Sequence, residues 1–99
     1  MSSLVTEIEI ANISSVRIDG EALSVGLEDG RTVTIPLSWY PRLFHGSHEE
    51  RQNFRLIGRG SGIHWDDLDE DLSAEGIIAG HRSHESQASL GSWLKQRGK

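Results

Sequence analysis

The chain has no cysteine, one methionine, two prolines and only six aromatic residues among its 99. Without cysteine there is no disulfide and no thiolate metal site, a usage that fits a reducing compartment. No stretch approaches the ~18 consecutive apolar residues that a membrane-spanning helix needs. The N-terminus lacks a basic region followed by an apolar run, so no secretory signal is expected. Asn12-Ile13-Ser14 has the form of a glycosylation sequon, but it means little without such a signal. The expected location is the cytoplasm. Positive charge is also scarce: ten Lys and Arg stand against fifteen Asp and Glu, a formal charge of −5. Non-specific binding to DNA, RNA or an anionic membrane needs a basic field, so none of these is an expected partner.

What is present is the composition of a single globular domain. Hydrophobic residues are 35% and charged residues 25%, outside the disordered range, and 99 residues suffice for one core. Residues 1–80 read as an α+β domain and 81–99 as a C-terminal tail. In that tail Leu90, Trp93 and Leu94 have the spacing of a short helix.

Alternation is the dominant pattern. Between Met1 and about Ala11, Val5, Glu7 and Glu9 alternate with Leu4, Thr6, Ile8 and Ile10, which suggests a strand. The clearest passage runs from Ile13 to Leu37, where alternating apolar runs are separated by Asp19-Gly20 and Asp29-Gly30. Asp-Gly between such runs signals a hairpin, and a type I′ turn would need positive φ at both central residues. The expectation is a three-stranded antiparallel meander with one apolar face. Pro36 ends it, having no N–H to give. Trp39 and Leu43 are expected to cover the open face, with Tyr40 and Arg42 pointing outward.

Pro41 suits a first helical position, and Ser47 with Glu50 has the capping-box spacing for a helix to about Asn53. Phe54–Ile57 reads as a further strand, Ile63–Trp65 as a short extended piece, and Asp66–Asp71 as an acidic loop. Ser73 or Asp71 would cap a short helix carrying Ile77 and Ile78, ended by Gly80. The fold class is α+β: an N-terminal antiparallel meander with short helices and further short strands, a single layer covered by helices.

Several of these residues also carry a family likeness. Leu23-Ser24-Val25, Glu28-Asp29-Gly30-Arg31, the run from Ile35 to Leu43, Glu49-Glu50-Arg51, Gly60 to Trp65 and Leu68 to Leu72 follow one another in order. Over about residues 13–80 the chain resembles the prokaryotic family called domain of unknown function 2442. The resemblance implies a small α+β fold of bacterial or phage-borne proteins, without established catalytic residues. It also implies a partner, a small protein of domain of unknown function 4160, in an arrangement similar to toxin–antitoxin pairs. Some relatives append a helix-turn-helix domain; Arg82–Lys99 is too short for one, which argues against DNA reading by this chain.

Candidate sites are few. Tyr40 and Arg42 are of the types that dominate binding hot spots. Asp66, Asp67, Asp69 and Glu70 form an acidic patch suited to a basic protein. Gly58–Gly62 lacks the following helix and the Lys-Ser or Lys-Thr ending of a phosphate loop. Asp67, Asp69 and Asp71 have calcium-loop spacing, but Leu72 stands where the loop needs Gly and Ile78 where it needs Glu. His45 with His48, and His81 with His84, have a spacing that on a helix would share a face. The leading expectation is a non-enzymatic protein-binding or regulatory module, antitoxin-like, without cofactor. The alternatives are an acidic inhibitor mimicking nucleic acid and a small metal-dependent hydrolase using His64 with Asp67 or Asp69.

Overall fold

A computed structural model of the chain describes residues 10–98. The strand expected from Met1 to about Ala11 lies outside the described residues, except for Ile10 and Ala11, which have no regular structure.

The expected meander is present. Strands β1 (Ile13–Ile18), β2 (Ala22–Leu27) and β3 (Thr32–Pro36) pair antiparallel in that order. Alternation buries Leu23, Val25 and Leu27 of β2 together with Ile35 of β3. In β1, Ile13 and Ile18 are both buried, although their odd spacing should set them on opposite faces. A bulge reconciles them. The register steps from Ile13↔Leu27 to Ser15↔Gly26, so Ser14 is the extra residue and both isoleucines reach the core.

Both Asp-Gly pairs make turns, but neither is the two-residue type I′ turn expected. The Asp19 carboxylate accepts from the N–H groups of Glu21 and Ala22 at 2.7 and 2.8 Å. That side chain shapes the first turn, and Gly20 does not adopt positive φ. At the second turn the Gly30 N–H bonds to the Leu27 carbonyl, and Gly30 alone is left-handed, at φ 98°. A longer hairpin loop uses a turn of the ordinary hand and one left-handed residue, so the mirror-image turn is not needed.

Pro36 ends β3, and Leu37–Trp39 forms one 3₁₀ turn. Side chains three apart on such a turn eclipse. Leu37 and Tyr40 therefore face the same way, and both are buried. This corrects the expected lid: Leu43 is buried as expected, but Tyr40 points inward. Trp39 is only half-buried, with the Arg82 guanidinium 4.4 Å from its ring centroid. Helix α1 (Pro41–His45) starts on Pro41, and α2 (His48–Gln52) has the expected capping box. The Ser47 hydroxyl accepts from the Glu50 N–H at 3.1 Å, while the Glu50 carboxylate accepts from the Ser47 N–H at 2.8 Å.

The remaining strands form a second meander, β4 (Phe54–Ile57), β5 (Gly62–Trp65) and β6 (Glu70–Ser73), paired in that order. The cover over the first meander is thus shared between helices and a second sheet. Leu23 and Val25 of one sheet and Ile63 and Trp65 of the other belong to a single core. Trp65, fully buried, satisfies its indole N–H on the Arg51 carbonyl at 2.9 Å. The sheets meet at Gly60, where φ is 95° and a Cβ would press into the Ile13 carbonyl.

Helix α3 (Ala74–Ala79) is capped by the Ser73 hydroxyl, which accepts from the Gly76 N–H at 2.9 Å. Gly80, at φ 79°, ends it, and the His81 N–H returns to the Gly76 carbonyl. Helix α4 (Gln87–Arg97) buries no residue fully. The guanidinium groups of Arg42 and Arg97 approach the ring of its half-buried Trp93 at 5.0 and 4.6 Å, and Arg97 grips Glu50 of α2 through two bonds of 2.7 and 3.0 Å. Among the described residues no helix is long and apolar enough to cross a membrane.

Candidate functional site

The acidic run is anchored by the one apolar residue inside it. Leu68 is fully buried, and Gly46 packs so tightly on it that a Cβ there would come within 2.9 Å of a Leu68 methyl. Around Leu68 the chain turns: the Asp69 N–H bonds to the Asp66 carbonyl, and Asp69 takes the left-handed conformation at φ 50°. The expected loop ends early, because Glu70 and Asp71 already belong to β6. Strand alternation then separates these two acids. Glu70 pairs with Trp65 on the core side, and Asp71 pairs with His64 on the outer side.

Glu70 lines a cleft of about 550 Å³, within the range of small-molecule and side-chain pockets. One wall is β6 with α3, a second is Tyr40 with Arg42, and the third is the chain from His81 to Glu85. The Tyr40 hydroxyl donates to the His81 carbonyl at 3.4 Å. Burial, and then the nearby Glu70, raise the Tyr40 pKa above its ordinary value. Arg42 donates from Nε and Nη2 to the two Glu85 oxygens at 2.7 and 2.9 Å. Its Nη1 reaches the carbonyls of Leu68 and Asp69 at 3.4 and 3.3 Å. The guanidinium is therefore largely committed to these acceptors, and it holds the Glu85 carboxyl below its usual pKa.

Glu70 is the exception in this setting. It has no side-chain hydrogen bond or ion pair among the described residues. Burial chiefly pushes its pKa up to about 7; Arg42 offsets part of that, and Glu85, Asp71 and Asp69 add to it. A carboxyl poised near neutrality thus faces an open cleft.

The six expected contact residues divide differently from the two surfaces foreseen. Tyr40, Arg42, Asp69 and Glu70 line one cleft. Asp66 and Asp67 stand apart on the turn: Asp66 accepts from His64 Nε2 at 2.7 Å and approaches Arg55 at 3.4 Å, and Asp67 accepts from Asn53 at 2.9 Å. His64 also bonds Asp71 through Nδ1, and Asp71 first, then Asp66, raises its pKa. His64 thus bonds neither Asp67 nor Asp69, the acids considered with it for a hydrolase: the partners of its two nitrogens are Asp66 and Asp71. His45 ends α1 while His48 begins α2, and His81 and His84 lie outside any helix, so neither pair shares a helix face. Among the described residues no group of three or more His, Asp or Glu is placed to hold a metal ion.

Glu85 was not foreseen as part of any site, and in the segment 81–85 only His81 and His84 had been considered, as a metal pair. The segment lies in the expected tail, and no local spacing connects it to Arg42 or Tyr40. Glu70 was foreseen as a member of the acidic loop; only its place opposite Trp65 reveals that it is drawn inward.

The family model described as "Protein of unknown function (DUF2442)" matches residues 13–83. The chain belongs to this family. Among solved structures, the crystal structure of a protein of unknown function from Rhodospirillum rubrum is similar, with 28% identity and a TM-score of 0.67. That match covers 83% of this chain and 99% of the other. The solution structure of an uncharacterized protein from Chromobacterium violaceum shares the fold, with 18% identity and a TM-score of 0.64, over 92% of this chain and 84% of the other. No curated protein matches the chain. The DUF2442 match stops before Glu85 and α4, so the acceptor of the Arg42 fork lies beyond it.

Proposed function

We propose that this DUF2442 chain is a non-enzymatic protein-binding module of the cytoplasm, the antitoxin-like member of a two-protein pair. Its partner is a small basic protein, of the kind the family resemblance associates with domain of unknown function 4160. One observation carries the reading. Asp66, Asp67, Asp69 and Asp71 are exposed on a turn and strand start that Leu68 pins from beneath and Asn53 and His64 hold from the side. An acidic face already in its final geometry loses little freedom on association. In a chain of charge −5 it also steers a basic partner into encounter.

Arg42 is committed to Glu85 and Tyr40 is buried at the cleft wall, so neither stands on the outer surface. The exposed part of the docking face is therefore the aspartate turn. The test is association kinetics between the full chain and the purified 4160-type protein at two salt concentrations. Asp66→Asn with Asp67→Asn should slow association by about tenfold at low salt and flatten its salt dependence. Binding that ignores both substitutions, or no binding of the basic protein at all, removes this reading.

A further inference from the structure

The cleft behind the aspartate turn has room for one extended side chain, at about 550 Å³. Its chemistry is selective. Arg42 and Arg82 line it against Asp69, Glu70 and Glu85, a formal charge of −1 with the histidines neutral; Asp71 borders it too, but its carboxylate is turned outward onto His64. Arg42 is forked onto Glu85, and the exposed Arg82 lies over the Trp39 ring. Glu70 is half-buried and has no side-chain hydrogen bond or ion pair among the described residues. Tyr40 and Ile77, both buried, supply apolar wall beside it.

We propose that this cleft receives one basic side chain, an arginine or lysine, with its methylenes along Tyr40 and Ile77 and its cationic head on the Glu70 carboxylate. The inference rests on the reading that the partner is a basic protein, and it names where on the chain that partner is gripped. An entering cation supplies the counter-charge that Glu70 lacks. Any Glu70 proton then leaves to solvent, and an ion pair forms where a half-desolvated carboxyl stood. Binding is therefore linked to pH. The charged groups facing Glu70 are Arg42 from α1, Asp69 and Asp71 on either side of it, and Glu85 from the closing segment. His81 and His84 line the same cleft, so the Glu70 contribution is the difference between wild type and Glu70→Gln.

The test is an NMR titration of the labelled full chain with Nα-acetyl-arginine amide, Nα-acetyl-lysine amide and the neutral Nα-acetyl-norleucine amide. One cationic probe should give saturable amide shifts at Glu70–Ser73 and His81–Glu85, and the neutral probe none. Glu70→Gln should weaken that binding at least about fivefold. With a pKa of about 7, the ionised fraction of Glu70 rises about tenfold between pH 6 and pH 8. Wild-type affinity should rise by about threefold or more beyond any change in Glu70→Gln, approaching that factor only when the protonated form does not bind. Overturning results are cleft shifts from neither cationic probe, equal shifts from norleucine, or binding that Glu70→Gln leaves unchanged.

The two proposals fail separately. If the basic partner needs Asp66 and Asp67 but is indifferent to Glu70→Gln, the pocket is wrong and the module stands. If a probe fills the cleft while no basic protein binds the chain, the pocket stands and the module is wrong.

Discussion

Arg42 and Glu85 are joined by two hydrogen bonds, Nε to Oε1 at 2.7 Å and Nη2 to Oε2 at 2.9 Å, between side chains only 15% and 8% exposed. A bidentate fork of this kind fixes orientation as well as charge. It ties α1 to the segment that forms the third wall of the cleft. Glu85→Gln should destabilise the fold by about 1–2 kcal/mol, and Arg42→Lys, which loses the fork, by a similar amount. In a double-mutant cycle by urea denaturation the pair should couple by more than about 0.5 kcal/mol. Additive effects would mean that the segment is held by something else.

The glycines make a graded test of the backbone. Gly30, at φ 98°, has open space around it, so Gly30→Val meets only conformational strain, on the order of 1–3 kcal/mol. Gly20 has no positive φ and only the tip of Arg51 near it, and Gly20→Ala should change stability by less than about 0.5 kcal/mol. Gly60→Ala combines a φ of 95° with a clash against the backbone of Ile13, and it should be the most damaging of the three. Thermal melts that reverse this order contradict the turn assignments.

Glu50 should set an acid limit on the docking of α4. Its bonds with Arg97 first, and then the Ser47 N–H, hold its carboxyl down at about 2 against an ordinary 4.5. The sign follows from linkage: a depressed pKa contributes stability above the ordinary value and loses it as pH falls from there toward 2. The pair is partly exposed, so its contribution is on the order of 1 kcal/mol. The Trp93 indole, 4.6 Å from the Arg97 guanidinium, is the reporter. Its NMR resonance should move over that acid window and stay still in Glu50→Gln.

Glu70 acts in the opposite direction. Its pKa is raised to about 7 from 4.5, so stability is full below the ordinary value and falls as pH rises through 7. Glu70→Gln should therefore raise the melting temperature at about pH 8 and leave it nearly unchanged at about pH 4. Allowing for the solvent that reaches the cleft, the gain is on the order of 1–2 kcal/mol. His64 titrates as well, so the quantity to compare is the difference between wild type and variant across pH.

The first meander was legible in the sequence because its alternation is long and punctuated. Proline, the capping box and Gly80 marked the helix boundaries by local chemistry that needs no tertiary context. Three features escaped for physical reasons. Tyr40 turned inward because a 3₁₀ turn after Pro36 sets it in phase with Leu37, and a short turn leaves no periodic signal. β6 was hidden because its two inward positions are Glu70 and Leu72, and one apolar residue cannot announce a strand. The cleft joins α1 to a segment some forty residues on, and only the folded chain brings Arg42 and Glu85 together. The acids of the patch were found from composition; pleating sets Glu70 and Asp71 on opposite sides, and only the folded chain brings Asp69 of the turn to the cleft.

Gly60 bears on how the molecule responds to force. At that point the connection between β4 and β5 comes against the backbone of Ile13 with no side chain between them. Side chains in most packed joints can change rotamer and absorb a displacement; backbone against backbone has no such slack. A displacement of β1 toward the β4–β5 connection is therefore opposed by main chain, with no rotamer change to absorb it. The two meanders, though separate in hydrogen bonding, resist compression there as one body.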